Sequence, residues 1–146
     1  MSIYPQRSLR QLYSSEKGTA AVEFAIVSPV FILIMVGMLA YGIYFGAVHS
    51  VQQLAADAAR ASIAGISNDE RRQLAEAFVS RNVSKYILLR PELVGLSVAP
   101  SIEDNSQFDV SVSYSAKDLP IWDLYVPLPT PEKTITRTST IRLGGV

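Results

Sequence analysis

The sequence predicts an α+β protein with a long N-terminal transmembrane helix that continues outward, a second shorter helix, and a small three-stranded antiparallel sheet. Three observations predict this fold class. Residues 24–48 form an uncharged run of 25 residues. Apolar residues then recur at helical spacing as far as residue 87, and from residue 94 onward they recur at every second position. This change of period separates a helical part from a strand-rich part.

The uncharged run is long enough to cross a membrane. At about 1.5 Å per residue, a helix of this length extends about 37 Å, more than the roughly 30 Å hydrocarbon core of a bilayer. The alternative is a cleaved secretory signal, but its apolar core spans only about 7–15 residues, so the length favours a retained anchor. Residues 1–18 hold three basic side chains and one acidic one. This surplus places the N-terminus in the cytoplasm.

The pattern divides the chain into three parts. These are a cytoplasmic basic leader at 1–18, a transmembrane and stalk helix at 19–66, and a periplasmic or otherwise extracytoplasmic α+β module at 67–146. The protein is therefore expected to be a single-pass membrane protein that contacts lipid. About 80 residues outside the membrane build only a modest core, so the module should depend on packing against the anchor helix or partners.

The outer module is predicted to contain one helix and three strands. Ser67 and Glu70 have the spacing of a capping box that opens the second helix. Pro91 is expected to end that helix, because proline disrupts a helix interior. The alternation of apolar residues predicts strands at 94–98, 108–114 and 134–143, with a turn at 103–106.

A proline-rich apolar segment separates the second and third predicted strands. Residues 119–131 contain Trp122, Tyr125 and four prolines, a composition too apolar for a solvated linker. We interpret this segment either as a lid over the sheet or as a patch that faces a partner or the membrane. In the second interpretation, Trp122 and Tyr125 form the partner surface.

Small residues within the apolar run are candidates for helix packing. Gly42 and Gly46 form a Gly-x3-Gly pair, a spacing that lets membrane helices approach closely. His49, the only histidine, lies where the run ends. Since no second ligand or nucleophile is spaced for joint action with it, an interfacial or capping role is expected rather than metal binding.

Composition and motifs argue against several classes of protein. The 13 basic and 13 acidic side chains leave no surplus for phosphate contacts, so nucleic-acid binding is excluded. Without cysteine there is no disulfide scaffold, thiol nucleophile or thiolate zinc site. No phosphate loop or catalytic constellation is present, and the Ser-x-x-Lys string ending at Lys17 lies in the leader. We therefore expect no enzyme activity, no metal and no cofactor.

One motif is specific. Residues 17–24 place Gly18 before the apolar run, a single carboxylate, Glu23, five residues later, and the aromatic Phe24 next. This arrangement resembles the Gly-x4-Glu-Phe/Tyr processing site of type IV prepilins. The stretch from residue 21 to residue 29 is similar to the TadE-like family of pseudopilins from tight-adherence (Flp) pilus systems, and the resemblance is strongest over 16–65.

The resemblance implies a function in assembly. A prepilin peptidase of the inner membrane would cut between Gly18 and Thr19. Glu23, with Phe24 beside it, would then take part in subunit assembly by pairing with the new amino group of a neighbouring subunit. The implied partners are other pilins or pseudopilins and platform proteins of pilus assembly, in a cell-adhesion system. The long outer region suggests a minor subunit, located in the inner membrane, with the pilus as a second location.

One alternative to cleavage and assembly stays open at this level. Gly18 could be an ordinary loop residue while Glu23 reaches the membrane surface. The chain would then be an uncleaved single-pass anchor that presents a small periplasmic protein-binding module, with Trp122 and Tyr125 at its recognition surface.

Overall fold

The computed structural model describes residues 16–101, 106–123 and 129–142. It contains two helices, α1 (Glu16–Ser62) and α2 (Asn68–Asn82), and one antiparallel sheet of three strands, β1 (Val94–Pro100), β2 (Gln107–Ser115) and β3 (Thr134–Arg142). The predicted α+β class is confirmed. The chain forms two compact units, Met1–Met38 and Leu39–Val146. The predicted boundary between stalk and module at 66/67 thus falls inside the second unit.

Helix α1 is long and apolar enough from Gly18 to Ser62 to cross a membrane, which is compatible with a single-pass membrane protein. It starts at Glu16 and ends at Ser62, whereas the sequence predicted a helical unit over 19–66. The C-terminal end tightens because the backbone N–H of Gly65 donates to the carbonyl of Ser62 (3.1 Å). Such i to i−3 bonds satisfy the last carbonyls of a helix and close it.

The second unit uses the C-terminal part of α1 as a core element. Its buried residues recur at intervals of three and four and include Ala40, Tyr44, Ala47, Val51, Leu54 and Ala58. This is the spacing of one helix face. The uncharged run 24–48 therefore has two environments, since from Ala40 onward one face of it packs within the folded module. The sequence had predicted one uniform membrane span.

Helix α2 begins as predicted. The Ser67 side chain accepts a hydrogen bond from the backbone N–H of Glu70 (3.2 Å), and Glu70 Oε2 accepts one from the backbone N–H of Ile66 (2.8 Å). The helix ends at Asn82, so the predicted end at Pro91 is wrong. Asn82 Nδ2 donates to the carbonyl of Phe78 (2.8 Å), a local bond that competes with helix continuation.

The sheet has the order β1-β2-β3, with Val98 opposite Val110 and Val110 opposite Ser139. The central strand, β2, alternates strictly between buried and half-buried residues. Its buried face consists of Phe108, Val110, Val112 and Tyr114. On the other face Ser111 Oγ and Thr138 Oγ1 lie 2.7 Å apart. The predicted strands are confirmed, whereas most of the predicted turn at 103–106 lies outside the described residues.

Two glycines offer a test of packing in this unit. A Cβ added to Gly65 would lie 2.7 Å from the backbone N of Arg71, and a Cβ added to Gly95 would lie 2.6 Å from Ser113 Oγ. The backbone of Arg71 cannot move away from the added Cβ, whereas the hydroxyl of Ser113 can rotate to another position. We expect Gly65→Ala to destabilise the module by about 1–3 kcal/mol and Gly95→Ala to leave it within about 0.5 kcal/mol of the unmodified protein. Denaturant midpoints followed by fluorescence of Trp122 would measure both, and equal midpoints would contradict the expectation.

Candidate functional site

The N-terminal part of α1 has an apolar surface that the described protein does not cover. Every residue from 18 to 36 is exposed except the half-buried Ser28. Phe24 is 73% exposed and Ile26 68%. A helix that is apolar on all sides requires an apolar environment, which lipid or neighbouring helices supply. This surface is therefore a candidate site for insertion and assembly.

The predicted cleavage site lies at the start of this surface. Gly18 and Thr19 are both exposed and fall within the first turn of α1. The first four backbone N–H groups of a helix have no acceptor within the helix, so unwinding this turn breaks few hydrogen bonds. A protease that requires extended backbone can therefore reach the bond between Gly18 and Thr19 at low cost. Cleavage itself stays a prediction.

Glu23 lies one turn further along α1, and its side chain is exposed. Among the described residues it has no hydrogen-bond or ion-pair partner. An ionised carboxylate within an apolar span costs about 2.5–3.5 kcal/mol at a helix centre and less near its edge. The position therefore favours pairing with a cation, which none of the described residues supplies. The side chain of the adjacent Phe24 is also exposed.

The two glycines of the predicted packing pair differ in their surroundings. A Cβ added to Gly42 would meet no heavy atom within 4 Å, whereas one added to Gly46 would lie 2.8 Å from Leu88 Cδ1. Gly46 thus accommodates a residue of the module. Gly42 presents an open face on which another helix could pack. Helix association through this pair stays a prediction, with Gly42 as the available position.

A loop of four residues, 86–89, packs against α1 and was not singled out from the sequence. The backbone N–H of Leu89 donates to the carbonyl of Tyr86 (3.3 Å), which closes a tight turn. Leu88 has a φ of 70°, in the left-handed region that favours glycine. Ser50 Oγ donates to the carbonyl of Ile87 (2.7 Å). The signal for this loop in the sequence is the apolar triplet 87–89 between Lys85 and Arg90, although the helical spacing predicts that part of this triplet belongs to the second helix.

The hydroxyl of Tyr86 adds a polar link between this loop and α1. It donates to Asp57 Oδ2 at 2.7 Å, and Asp57 Oδ1 also pairs with Arg60. Burial raises the pKa of Tyr86 to about 12, helped by this hydrogen bond and the negative charge of Asp57. The phenol is therefore neutral and keeps its donor hydrogen at physiological pH.

Trp122 is half-buried and lies next to the core. Its indole Nε1 donates to the carbonyl of Ala116, and Lys133 Nζ lies 5.5 Å from the ring centroid. The neighbouring Leu119 and Ile121 are buried in the core. These contacts favour the lid interpretation for the beginning of the 119–131 segment. Tyr125 lies outside the described residues, and a recognition surface at this pair stays a prediction.

The described parts of the chain contain no group of three or more His, Cys, Asp and Glu side chains placed to hold a metal ion. His49 is exposed and lines an open groove of about 390 Å³ together with Lys85 and Tyr86. Nothing in this groove adds a reason to assign it chemistry, so the expectation of a non-enzymatic protein stays a prediction.

Comparison with known proteins finds a family similarity within α1. Residues 18–60 match the family model described as TadE-like protein. The matched range begins at Gly18, covers most of α1 and includes none of the strands. No curated protein and no solved structure matches the chain. The similarity to TadE-like proteins inferred from residues 17–29 is thereby confirmed over 18–60.

Proposed function

Since residues 18–60 are TadE-like, we propose that this protein is a minor pseudopilin of a Flp-type (tight adherence) pilus or a related secretion machine. A prepilin peptidase cleaves it between Gly18 and Thr19. The mature subunit then takes part in pilus assembly. The chain fits a component of a Tad pilus, because residues 18–60 match the family model and α1 is long and apolar enough to cross a membrane.

One observation supports the proposal most strongly. The family match starts at the glycine of the cleavage motif and runs through the helix that exposes an apolar surface. The cleavage residue, the carboxylate and the span therefore belong to a single helical segment. The sheet lies outside the matched range, so the helix alone carries the similarity to the family.

Before cleavage, the protein is a membrane precursor with its N-terminus in the cytoplasm. The basic leader holds it in this orientation and brings Gly18 to the cytoplasmic edge of the inner membrane. The outer module lies on the opposite side, in the periplasm. Cleavage removes the leader and creates an amino group at Thr19.

After cleavage, the helix acts by packing and not by chemistry. The apolar surface from 19 to 38 is transferred from lipid to contacts with other pilins or pseudopilins, with assembly platform proteins nearby. Because lipid and leucine are similarly apolar, close packing and polar pairs must stabilise that contact. The uncovered carboxylate of Glu23 is suited to pair with a neighbouring amine.

The decisive experiment is the intact mass and N-terminal sequence of the membrane-extracted protein, expressed with and without a prepilin peptidase. We expect the peptidase to yield a chain that begins at Thr19. The mass decreases by about 2 kDa, because 18 of 146 residues of a 16.0 kDa chain are lost. Gly18→Leu should prevent this loss, since a bulky side chain obstructs the backbone at the cleaved bond.

Gly42→Leu is the matched control, because it makes the same substitution in the same helix at a position where an added Cβ would meet no heavy atom within 4 Å. Cleavage should proceed normally in that variant. A wild-type chain that still begins before Thr19 in the presence of the peptidase would contradict the proposal and leave the uncleaved membrane anchor as the remaining interpretation.

A further inference from the structure

We propose that the open edge of β3 is a strand-addition site, at which an extended acidic segment of a partner protein pairs with the backbone of β3. The sheet order β1-β2-β3 leaves this side of β3 without a strand among the described residues. An exposed strand edge is a template for pairing with another chain. The site does not depend on cleavage after Gly18, and β3 lies outside the residues that match the family model.

The backbone of β3 points alternately toward β2 and away from it. In an antiparallel pair, every second residue exchanges both of its backbone hydrogen bonds with the neighbouring strand. The backbone N–H of Ala116 donates to the carbonyl of Lys133 (2.8 Å), one step before the ladder between β2 and β3 begins. This bond sets the alternation, so residues 135, 137, 139 and 141 bond to β2. The N–H and C=O groups of residues 134, 136, 138, 140 and 142 therefore point to the open edge.

The opposite edge of the sheet, formed by β1, is protected. The backbone N–H of Ser101 donates to the carbonyl of Gln107 (2.9 Å), and the same alternation then turns residues 94, 96, 98 and 100 outward. Arg72 Nη2 donates to the outward carbonyl of Val98 (3.4 Å), and Pro100 has no N–H. Helix α2 also contacts this strand. Natural sheets protect their edges in these ways, so β3 is the edge that another strand can reach.

Strand β3 is regular enough to accept a partner along its whole length. It has nine residues and no proline, and Thr136, Thr138 and Thr140 are exposed at alternate positions. One outward carbonyl, that of Thr136, accepts a hydrogen bond from Arg137 Nη1 (2.9 Å). The other four have no side-chain donor among the described residues. Since the Arg137 side chain is exposed, it can leave this carbonyl when a strand arrives.

The charges along β3 select an acidic partner. The strand carries Arg137 and Arg142 and no acidic residue, and Lys133 directly precedes it. None of the described carboxylates forms an ion pair with these three cations. On paired strands, opposite charges that face each other are stabilising and like charges are destabilising. A segment with Asp or Glu at alternate positions therefore complements this edge.

A second copy of β3 fits the same edge less well. Pairing two copies sets four arginines along one pair of strands, with no carboxylate between them. A specific surface excludes a wrong partner by like-charge repulsion as much as it attracts the right one. The arginines thus act against self-association of the sheet and in favour of an acidic strand.

A synthetic strand serves as the probe. A fluorescein-labelled peptide of alternating threonine and glutamate, nine residues long to match β3, is titrated with the full-length protein in detergent, and its fluorescence polarisation is measured. The same peptide with lysine in place of glutamate tests the effect of charge. We expect the acidic peptide to bind at least about ten times more tightly than the basic one.

Thr136→Pro is the decisive variant. It removes an N–H that points to the open edge, where proline is tolerated, so β3 keeps its bonds to β2. The acidic peptide should then bind at least about ten times more weakly, because the carbonyl that it offers to residue 136 loses its donor. Fluorescence of Trp122 in denaturant checks that the variant is folded.

Arg137→Glu is a second test that requires no proline in the strand. It should weaken binding of the acidic peptide and strengthen binding of the basic one. Arg81→Glu is its matched control, because it makes the same charge reversal at an exposed position of α2. That variant should bind both peptides as the unmodified protein does.

Hydrogen exchange of single backbone amides locates the bound peptide. The acidic peptide should slow exchange at residues 136, 138 and 140 by at least about tenfold, and should leave residues 135, 137 and 139 unchanged, because these already bond to β2. Failure of the acidic peptide to bind, equal binding of the two peptides, full binding to folded Thr136→Pro, or unchanged exchange at the edge amides would each overturn the strand-addition site. None of these results alters the mass measurement that tests cleavage after Gly18.

Discussion

Phe108→Ala is expected to lower the free energy of unfolding of the outer module by about 3–5 kcal/mol. Phe108 is among the largest fully buried side chains, with 1% of its surface exposed. It lies on the central strand, β2, opposite Pro100 of β1 and Ile141 of β3. The Arg71 guanidinium carbon lies 5.8 Å from its ring centroid. Its removal leaves a cavity where the three strands and α2 meet.

A loss of that size is a large part of the total free energy of unfolding of a domain. Folded domains are stable by about 5–15 kcal/mol, and each kcal/mol lowers the melting temperature of a domain near 100 residues by about 4–8 °C. The melting temperature should therefore fall by at least about 12 °C. Trp122 is the only tryptophan and lies beside the core, so its fluorescence reports unfolding of this unit in detergent.

Ile66→Ala is the control, since it also removes a large aliphatic side chain, from a position that is 89% exposed. It should change stability by less than about 0.5 kcal/mol. If Phe108→Ala and Ile66→Ala melted at the same temperature, the sheet core described above would be contradicted.

Glu23→Gln is expected to leave cleavage after Gly18 largely intact and to abolish pilus assembly. The substitution keeps the shape of the side chain but removes its charge, so an amine of a neighbouring subunit gains no ion pair. In an apolar environment one charge left without its partner costs several kcal/mol. That cost falls on the assembled state, because the amine exists only after cleavage.

The measurement separates the two steps. Intact mass of the membrane fraction reports cleavage, and the number of pili per cell by electron microscopy reports assembly. Glu76→Gln is the matched control, because the same change is made at an exposed position of α2. Normal piliation in Glu23→Gln would exclude the pairing, while loss of cleavage in this variant would show that Glu23 acts on the peptidase step.

Local patterns predicted most of the fold. The Ser67 and Glu70 pair gave the start of α2 to the residue, since capping depends only on neighbours three residues apart. Alternation along β2 identified its buried face for the same reason. The end of α2 was not predictable in this way, because Pro91 permits a longer helix and the side chain of Asn82 competes with it.

The residues of the candidate site were likewise predictable only where they form a local pattern. Gly18, Glu23 and Phe24 were found from their spacing, because a linear motif in one helix needs no tertiary contact. The 86–89 loop was missed, since its apolar triplet has the same composition as a helix face. The sequence also does not distinguish the two glycines of the Gly-x3-Gly pair, although a Cβ added to Gly46 would meet Leu88 and one added to Gly42 would meet no heavy atom within 4 Å.

The sequence by itself determined the α+β class, the apolar helix with its single carboxylate, and the similarity to TadE-like proteins, because each depends on residues close together in the chain. Tertiary structure alone decided which part of the uncharged run the module uses. From Ala40 onward one face of α1 is buried, and Leu88 covers Gly46. A run of apolar residues has the same sequence pattern whether lipid or a protein core surrounds it. Only the packing of segments distant in sequence distinguishes the two environments.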